Sequence, residues 1–196
     1  MNLTEITTSS GKLIYVYDGL VPYSLMMELY FDLRTKEYPL VSQNDTALLD
    51  YTGVFGFGKS LPCDFMLQFI RRTDKAEAFP LTSILRKYTP KRSWVNVYNG
   101  YHPTNRYHSD EGCKLPGEYY SLLYYANPKW DLEWDGGTVF RSEDLEKVEY
   151  LSDYKPGRFV LFDSSIPHKI YQTSLNADPY RFTINTVFSK NENFQL

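Results

Sequence analysis

From Ser93 onward the chain alternates short runs of β-forming residues with clusters of turn residues, and this pattern constrains the fold more than any other feature. The runs are rich in Val, Ile, Phe and Tyr, which favour strands. Eight such runs in about a hundred residues favour a mainly β architecture, a jelly-roll or cupin-like double-stranded β-helix. The predicted strands are Trp94–Asn99, Asn105–Asp110, Glu118–Asn127, Gly137–Arg141, Lys147–Ser152, Arg158–Asp163, Pro167–Thr173 and Arg181–Ser189.

The first ninety residues differ, because helical periodicity and loops dominate there. Lys12–Asp18 alternates like a strand, and Pro22–Leu33 has apolar residues at helical spacing behind a proline suited to a first turn. Cys63–Arg72 is predicted to be a second helix, Leu81–Lys87 a short third, and Gln43–Ser60 a mobile loop. We predict one domain over residues 1–196, in which residues 1–90 support a double-stranded β-helix core over residues 91–190.

Composition and charge exclude several classes of function. A net charge of -3 gives no basic field for nucleic acid, so a nucleic-acid partner is not expected. The N-terminus lacks a basic and an apolar leader region, and no apolar run could span a bilayer, so no membrane partner is expected. Two cysteines, Cys63 and Cys113, do not make a disulfide framework, which favours a reducing, cytoplasmic location.

Two of the three histidines lie in a pattern that suits a metal centre. His108 and Asp110 are two residues apart, so in a strand they share a face, and His168 opens a later strand. Two imidazoles and one carboxylate leave three adjacent coordination positions open, as non-haem Fe(II) oxygenases require, whereas zinc sites usually leave at most one. His102 lies in a Gly-Tyr-His-Pro turn and is interpreted as a loop histidine.

Arg181 and Thr183 add a possible anion site at the start of the last predicted strand. They share one face of that strand, so a guanidinium and a hydroxyl point together into the barrel. A buried guanidinium needs an anionic partner, and the far end of a dicarboxylate could supply it.

From Val95 to Ser189 the chain resembles the prolyl hydroxylase branch of the 2-oxoglutarate oxygenases, which includes the hypoxia-inducible-factor prolyl hydroxylases and bacterial and phage-type relatives. The resemblance covers about half the chain. It rests on Asn96-Val97-Tyr98-Asn99-Gly100, Tyr107-His108-Ser109-Asp110, Leu123 to Trp130, Asp135-Gly136-Gly137-Thr138, Pro156 to Phe162, His168 and Arg181-Phe182-Thr183.

The resemblance implies a role for each matching residue. His108, Asp110 and His168 would bind Fe(II), and Arg181 would bind the distal carboxylate of 2-oxoglutarate, together with Tyr125. It places Tyr98 near the metal-chelating end and makes Thr183 a weaker candidate; core packing remains an alternative for both tyrosines. The segment between His168 and Arg181 is a few residues longer than in close relatives.

The implied reaction couples decarboxylation of 2-oxoglutarate to hydroxylation of an unactivated C–H. Its cofactors are Fe(II), 2-oxoglutarate and O2, with ascorbate as an optional reductant. The implied partner is a protein, peptide or small molecule that contains proline, as in prolyl 4-hydroxylases. Asp110 favours hydroxylation, because halogenating relatives lack this carboxylate. Tyr101, Tyr107 and the Gln43–Ser60 loop are candidates for the substrate side.

Two other classes of function stay open. Gly53–Ser60 fits the Walker A pattern of P-loop nucleotide hydrolases, and Phe159–Asp163 resembles a Walker B strand. The all-β character of the rest of the chain opposes that interpretation, since a nucleotide-binding sheet needs alternating strands and helices. A glycine-rich lid over Tyr51–Ser60 is the preferred alternative. A non-catalytic jelly-roll binding module is the third class.

Overall fold

The computed structural model describes residues 2–38, 40–42, 55–73, 87–98, 106–110 and 117–190. Its strands are β1 (Asn2–Thr7), β2 (Leu13–Asp18), β3 (Leu40–Ser42), β4 (Phe55–Leu61), β5 (Tyr88–Tyr98), β6 (Tyr119–Tyr125), β7 (Thr138–Arg141), β8 (Val148–Ser152), β9 (Phe159–Asp163), β10 (His168–Ile170) and β11 (Arg181–Lys190). Two α-helices, α1 (Tyr23–Arg34) and α2 (Phe65–Arg71), and a 3-10 helix, Leu132–Trp134, complete these elements.

The strands form two sheets. The large sheet has the order β1-β2-β9-β6-β11-β5-β4-β3, and the small sheet has the order β10-β7-β8. All pairings are antiparallel, and sequence neighbours such as β5 and β6 are separated by β11. This mainly β, double-stranded β-helix architecture confirms the predicted fold class.

Each face of the large sheet has its own core. On one face, Leu25, Leu29 and Leu33 of α1, spaced one helical turn apart, are buried against residues of β5, β6 and β11. On the other face, side chains of the large sheet pack against Phe140 of the small sheet, together with Ile166. The helices therefore cover one outer face, as predicted, and the second core lies between the two sheets.

Several predicted elements are confirmed and several are wrong. The helices predicted at Pro22–Leu33 and Cys63–Arg72 correspond to α1 and α2, and seven of the eight predicted strands appear with shifted ends. The eighth, Asn105–Asp110, is wrong, because His108 forms a single bridge and Asp110 lies in a 3-10 turn. β1 was not predicted. The predicted third helix lies outside the described residues, except Lys87.

The glycine-rich segment behaves as a strand rather than a loop. The predicted loop and lid are wrong from Phe55 to Ser60, which belong to β4 and pair in the sheet; residues 43–54 lie outside the described residues. A Cβ on Gly58 would lie 2.3 Å from Nε1 of Trp94 and 2.8 Å from the Val95 carbonyl oxygen. This glycine is therefore explained by close packing in the sheet, which removes the structural basis for a phosphate-binding loop.

None of the helices in the described residues combines the length and the apolar character needed to cross a lipid bilayer.

Candidate metal centre

A short antiparallel bridge joins the two chain segments that carry the candidate ligands. The amide of His108 donates to the carbonyl of His168 at 3.1 Å, and the amide of His168 donates back at 2.9 Å. One step further, the Asp110 amide donates to the carbonyl of Ser164 at 2.9 Å. The side chains of His108, Asp110 and His168 thereby offer ligand atoms that all lie within 4.8 Å of one another.

Both imidazoles are oriented by their own backbone. Nδ1–H of His108 donates to the Arg106 carbonyl at 3.0 Å, and Nδ1–H of His168 donates to the Ile166 carbonyl at 2.9 Å. Because Nδ1 carries the proton in each ring, the lone pair of Nε2 is left for a metal. The ring centroids lie 4.6 Å apart, close enough for the two nitrogens to bind one ion.

His168 sits in an apolar wall that keeps it neutral. Its ring packs against Phe162 at 4.8 Å and Phe140 at 5.8 Å between centroids. Burial lowers the pKa of His168 to about 4, although the neighbouring Asp110 opposes the shift. A neutral imidazole is the form that binds a metal.

Asp110 is buried and held by two side chains that sequence reasoning missed. Its Oδ2 accepts hydrogen bonds from Oγ of Ser121 at 2.5 Å and from Nδ2 of Asn185 at 3.1 Å. Ser121 also shares a 2.7 Å hydrogen bond with Ser164. Burial raises the pKa of Asp110, but the adjacent histidines and these two hydrogen bonds outweigh burial, so the pKa lies below its ordinary value. The carboxylate is therefore ionised, and its Oδ2 lies 3.8 Å from Nε2 of His168, close enough for both atoms to bind one cation.

The signal for these supporting residues was present in the strand pattern. Ser121 interrupts the run Tyr119-Tyr120-Ser121-Leu122-Leu123, and Asn185 follows Arg181 and Thr183 on the same face of β11. Small polar residues on the inner face of otherwise apolar strands need buried partners.

Arg181 lies fully buried at the start of β11, on the same face as Asn185. Its Nε donates to the carbonyl of Gly136 at 2.5 Å, and its Nη1 lies 3.5 Å from Oγ1 of Thr183. Its Nη2 is buried with no hydrogen-bond partner, and no carboxylate of the described residues forms a salt bridge with it. The positive charge of the Arg181 guanidinium is therefore not balanced by a carboxylate of the described residues.

Tyr125, predicted beside Arg181, and Tyr98, predicted near the metal-chelating end of the cosubstrate, lie on the two strands that flank the start of β11. Tyr98 is the cross-strand partner of Arg181, and Tyr125 is the cross-strand partner of Thr183. The guanidinium carbon lies 5.7 Å from the ring centroid of Tyr125 and 5.0 Å from that of Tyr154, which sequence reasoning missed. The Tyr125 hydroxyl already donates to Oγ1 of Thr138 at 2.9 Å and lies 3.3 Å from the Ser152 carbonyl. Burial raises the pKa of Tyr125 and keeps it protonated.

Two adjacent glycines allow close contacts near the guanidinium, and the first of them lies against Arg181 itself. Gly136 has φ +76°, and a Cβ there would lie 3.2 Å from Cδ and Nε of Arg181. A Cβ on Gly137 would lie 2.3 Å from the Ser152 carbonyl oxygen. Gly136 is therefore needed for the turn and for the close approach of Arg181, and Gly137 for the close approach of the Ser152 carbonyl.

Other residues near the site either pack against it or lie outside the described part of the chain, and Tyr107 lies next to His108. Trp130 packs against Trp134 and Tyr154, with ring centroids 5.3 and 4.4 Å away, so it has a packing role. Tyr101, His102 and Cys113 lie outside the described residues.

Comparison with known proteins gives a fold. No protein-family model matches the chain, and no curated protein matches it. A solved prolyl-4-hydroxylase from Pseudomonas putida is similar with a TM-score of 0.65 and 16% identity, over 91% of this chain and 92% of that one. A Trichoplax adhaerens prolyl hydroxylase, solved with a hypoxia-inducible-factor peptide fragment, gives 0.62 and 15%, over 90% and 83%.

A third similar structure carries a metal and a cosubstrate. HygX from Streptomyces hygroscopicus, solved with nickel and 2-oxoglutarate bound, gives a TM-score of 0.64 and 10% identity, over 95% of this chain and 84% of that one. At these identities the likeness shows the fold alone. The resemblance to prolyl hydroxylases is therefore confirmed for the fold.

Proposed function

We propose that this protein is an Fe(II)- and 2-oxoglutarate-dependent oxygenase. The observation that carries the proposal is the buried, charge-unbalanced guanidinium of Arg181, on the sheet face that also supports the His108, Asp110 and His168 cluster. A group of metal-binding side chains alone is found in many kinds of protein. Such a group with a separate buried guanidinium suits a ligand that has a chelating end and an anionic end.

The donor set suits Fe(II). Two imidazoles and one carboxylate on one side of an ion leave adjacent positions for a bidentate cosubstrate and dioxygen. Bound Fe(II) and 2-oxoglutarate would supply the oxidative chemistry, and the protein would supply ligation, orientation and exclusion of water. His108, Asp110 and His168 would hold the metal, and the aromatic wall of Phe140 and Phe162 would keep water away from His168.

The strand β11 supports a cosubstrate lying along it. Arg181 and Asn185 are four residues apart, which is about 13 Å along a strand. Nη1 of Arg181 lies 3.5 Å from Oγ1 of Thr183, and Asn185 contacts Asp110. The guanidinium and the His108, Asp110 and His168 cluster therefore lie at the two ends of this segment of β11. A dicarboxylate in this interval could form a bidentate pair with Arg181 while its other end chelates the metal. Tyr98 and Tyr125 would line it.

The finer proposal is hydroxylation of proline, in a peptide or as the free amino acid. Its support is the likeness to solved prolyl hydroxylases, one of them with a peptide fragment bound. The retained Asp110 favours hydroxylation over halogenation.

A spectroscopic titration tests the oxygenase proposal. Anaerobic addition of Fe(II) and 2-oxoglutarate should give a weak visible charge-transfer band that needs both additions. Arg181→Met should raise the 2-oxoglutarate concentration needed to develop the band. Replacing the exposed Lys129 with Gln should leave that concentration unchanged. No band with the wild-type protein would refute the proposal and leave a non-catalytic binding module. Mass spectrometry of proline-containing substrates, for gain of one oxygen atom in the presence of 2-oxoglutarate, tests the finer step.

A further inference from the structure

One aromatic side chain beside the candidate metal centre lies within cation–π distance of two cations. Arg141 places its guanidinium carbon 5.2 Å from the ring centroid of Tyr107, and Lys169 places Nζ 4.7 Å from the same centroid. All three residues are half-buried. Tyr107, Arg141 and Lys169 are called the Tyr107 cluster below.

The charges of this cluster have no described counter-ion. Other cations nearby are paired: Lys12 lies 2.8 Å from Glu143, and Lys147 lies 3.5 Å from Glu149. Within the described ranges, neither Arg141 nor Lys169 forms a salt bridge with a carboxylate. In a chain of net charge -3, two adjacent unpaired cations are not explained by a general excess of base.

The hydrogen-bonding capacity of the cluster is also incomplete. Nε of Arg141 donates to the Tyr107 hydroxyl at 2.8 Å, so that oxygen acts as an acceptor and its own proton remains to be donated. Nη1 of Arg141 is used by the carbonyls of Leu145 and Glu146, at 2.6 and 3.3 Å. The phenol proton and the Lys169 ammonium are therefore two donors at one place, which is an arrangement suited to a carboxylate.

The cluster is attached to the segments that carry the metal ligands. Tyr107 directly precedes His108, Lys169 directly follows His168, and the Arg141 amide donates to the carbonyl of Pro167 at 2.8 Å. In β10, consecutive side chains point to opposite faces, so Lys169 points away from the side on which His168 faces the metal.

This geometry selects the length of the ligand. A molecule that reaches both the metal and the cluster has to pass from one side of a strand to the other. A free amino acid is about one residue long, whereas an extended peptide gains about 3.3–3.6 Å with each residue.

We propose that the Tyr107 cluster binds the carboxylate of an acidic residue in a peptide substrate, a few residues from the residue that is oxidised. This proposal rests on the oxygenase function and adds a substrate class: peptides with Asp or Glu near the target residue.

A binding assay with matched peptides tests the proposal without turnover. The protein is loaded with Mn(II) and 2-oxoglutarate, and fluorescein-labelled peptides carry one proline with a single Glu, or a Gln, at successive positions on either side. Anisotropy should show that one Glu position improves affinity by about tenfold over its Gln match, since charge-assisted hydrogen bonds are gained. Added salt should reduce the difference.

Three variants locate the effect. Lys169→Gln and Tyr107→Phe should each remove most of the Glu preference, while Lys129→Gln, a change at an exposed lysine elsewhere, should keep it. Melting curves confirm that each variant is folded. Equal or undetectable binding of the Glu and Gln peptides, or an unchanged preference in both cluster variants, would overturn the proposal.

Separate measurements test the source of the bound carboxylate and the oxygenase function on which the proposal rests. Displacement of the probe by free L-proline or acetate at peptide concentrations would overturn the assignment to a peptide side chain. Loss of the charge-transfer band together with a retained Glu preference would instead refute the oxygenase function alone.

Discussion

Replacing Arg181 with Met should separate the stability of this protein from its cosubstrate binding. In the cofactor-free protein the change removes a buried charge that has no described anionic partner. Filling that space with an apolar side chain should raise the free energy of unfolding by about 1–4 kcal/mol. It also leaves the Gly136 carbonyl without its donor, at a cost of about 1–3 kcal/mol. The two effects nearly cancel, so the free energy of unfolding should stay close to that of the wild type.

Binding of 2-oxoglutarate should respond very differently. Two charge-assisted hydrogen bonds of about 1.5–3 kcal/mol each would be lost, so the affinity should fall by at least about a hundredfold. Urea unfolding of the cofactor-free protein gives the first quantity, and calorimetric titration of the Mn(II)-loaded protein with 2-oxoglutarate gives the second.

The matched control is Arg158→Met. Arg158 forms a two-point ion pair with Asp18, from Nε at 2.8 Å and from Nη2 at 3.0 Å, so its loss leaves a half-buried carboxylate with only the exposed Lys155, 3.0 Å away, as its cationic partner. It should lower the free energy of unfolding by about 1–3 kcal/mol and leave 2-oxoglutarate affinity unchanged. A loss of about 3 kcal/mol or more in cofactor-free Arg181→Met, or an unaltered 2-oxoglutarate affinity, would refute the reasoning.

Three further outcomes are expected. Asp110→Ala should abolish succinate formation while His102→Ala leaves it largely intact; equal losses measured by mass spectrometry would contradict the ligand assignment. Gly136→Ala should lower the free energy of unfolding, measured by urea titration, by at least about 1–2 kcal/mol, because φ is +76° and the new Cβ would lie 3.2 Å from Arg181. For the metal-free protein, burial lowers the pKa of His168 to about 4, so the unfolded state binds a proton that the folded state rejects. Stability should be fully present above about pH 6.5 and fall by up to about 3 kcal/mol as the pH drops to about 4; equilibrium unfolding that is flat across this range would exclude the effect.

The parts of the fold that the sequence predicted correctly are those with strong apolar periodicity. α1 has buried leucines one turn apart, and β9 is buried throughout, so both stand out from their surroundings. β1 was missed because its residues are mostly exposed, which leaves no alternation to detect. β4 was assigned to a loop because its glycines are typical of loops, while the reason for Gly58 is a tryptophan on the neighbouring strand.

The residues of the candidate metal site lie together as predicted, but the backbone structure that brings them together differs from the predicted strand. His108 and Asp110 were expected to share the face of a strand, but the described segment pairs only through His108. Their positions depend on contacts with residues more than fifty positions later in the chain, at Ser164 and His168. Sequence spacing cannot show such long-range pairing, and the same limit hid the contact of Asn185 with Asp110.

The paired amides and carbonyls of His108 and His168 hold the candidate metal site together without a contribution from a bound metal ion. Because peptide groups join the two segments, the positions of the proposed ligand side chains do not depend on a bound ion. Different divalent ions could then be exchanged without refolding, unlike in a zinc finger, where the ion itself holds the chain in shape. A new side chain at one of these positions would alter the reactivity of the centre while the barrel around it stays the same.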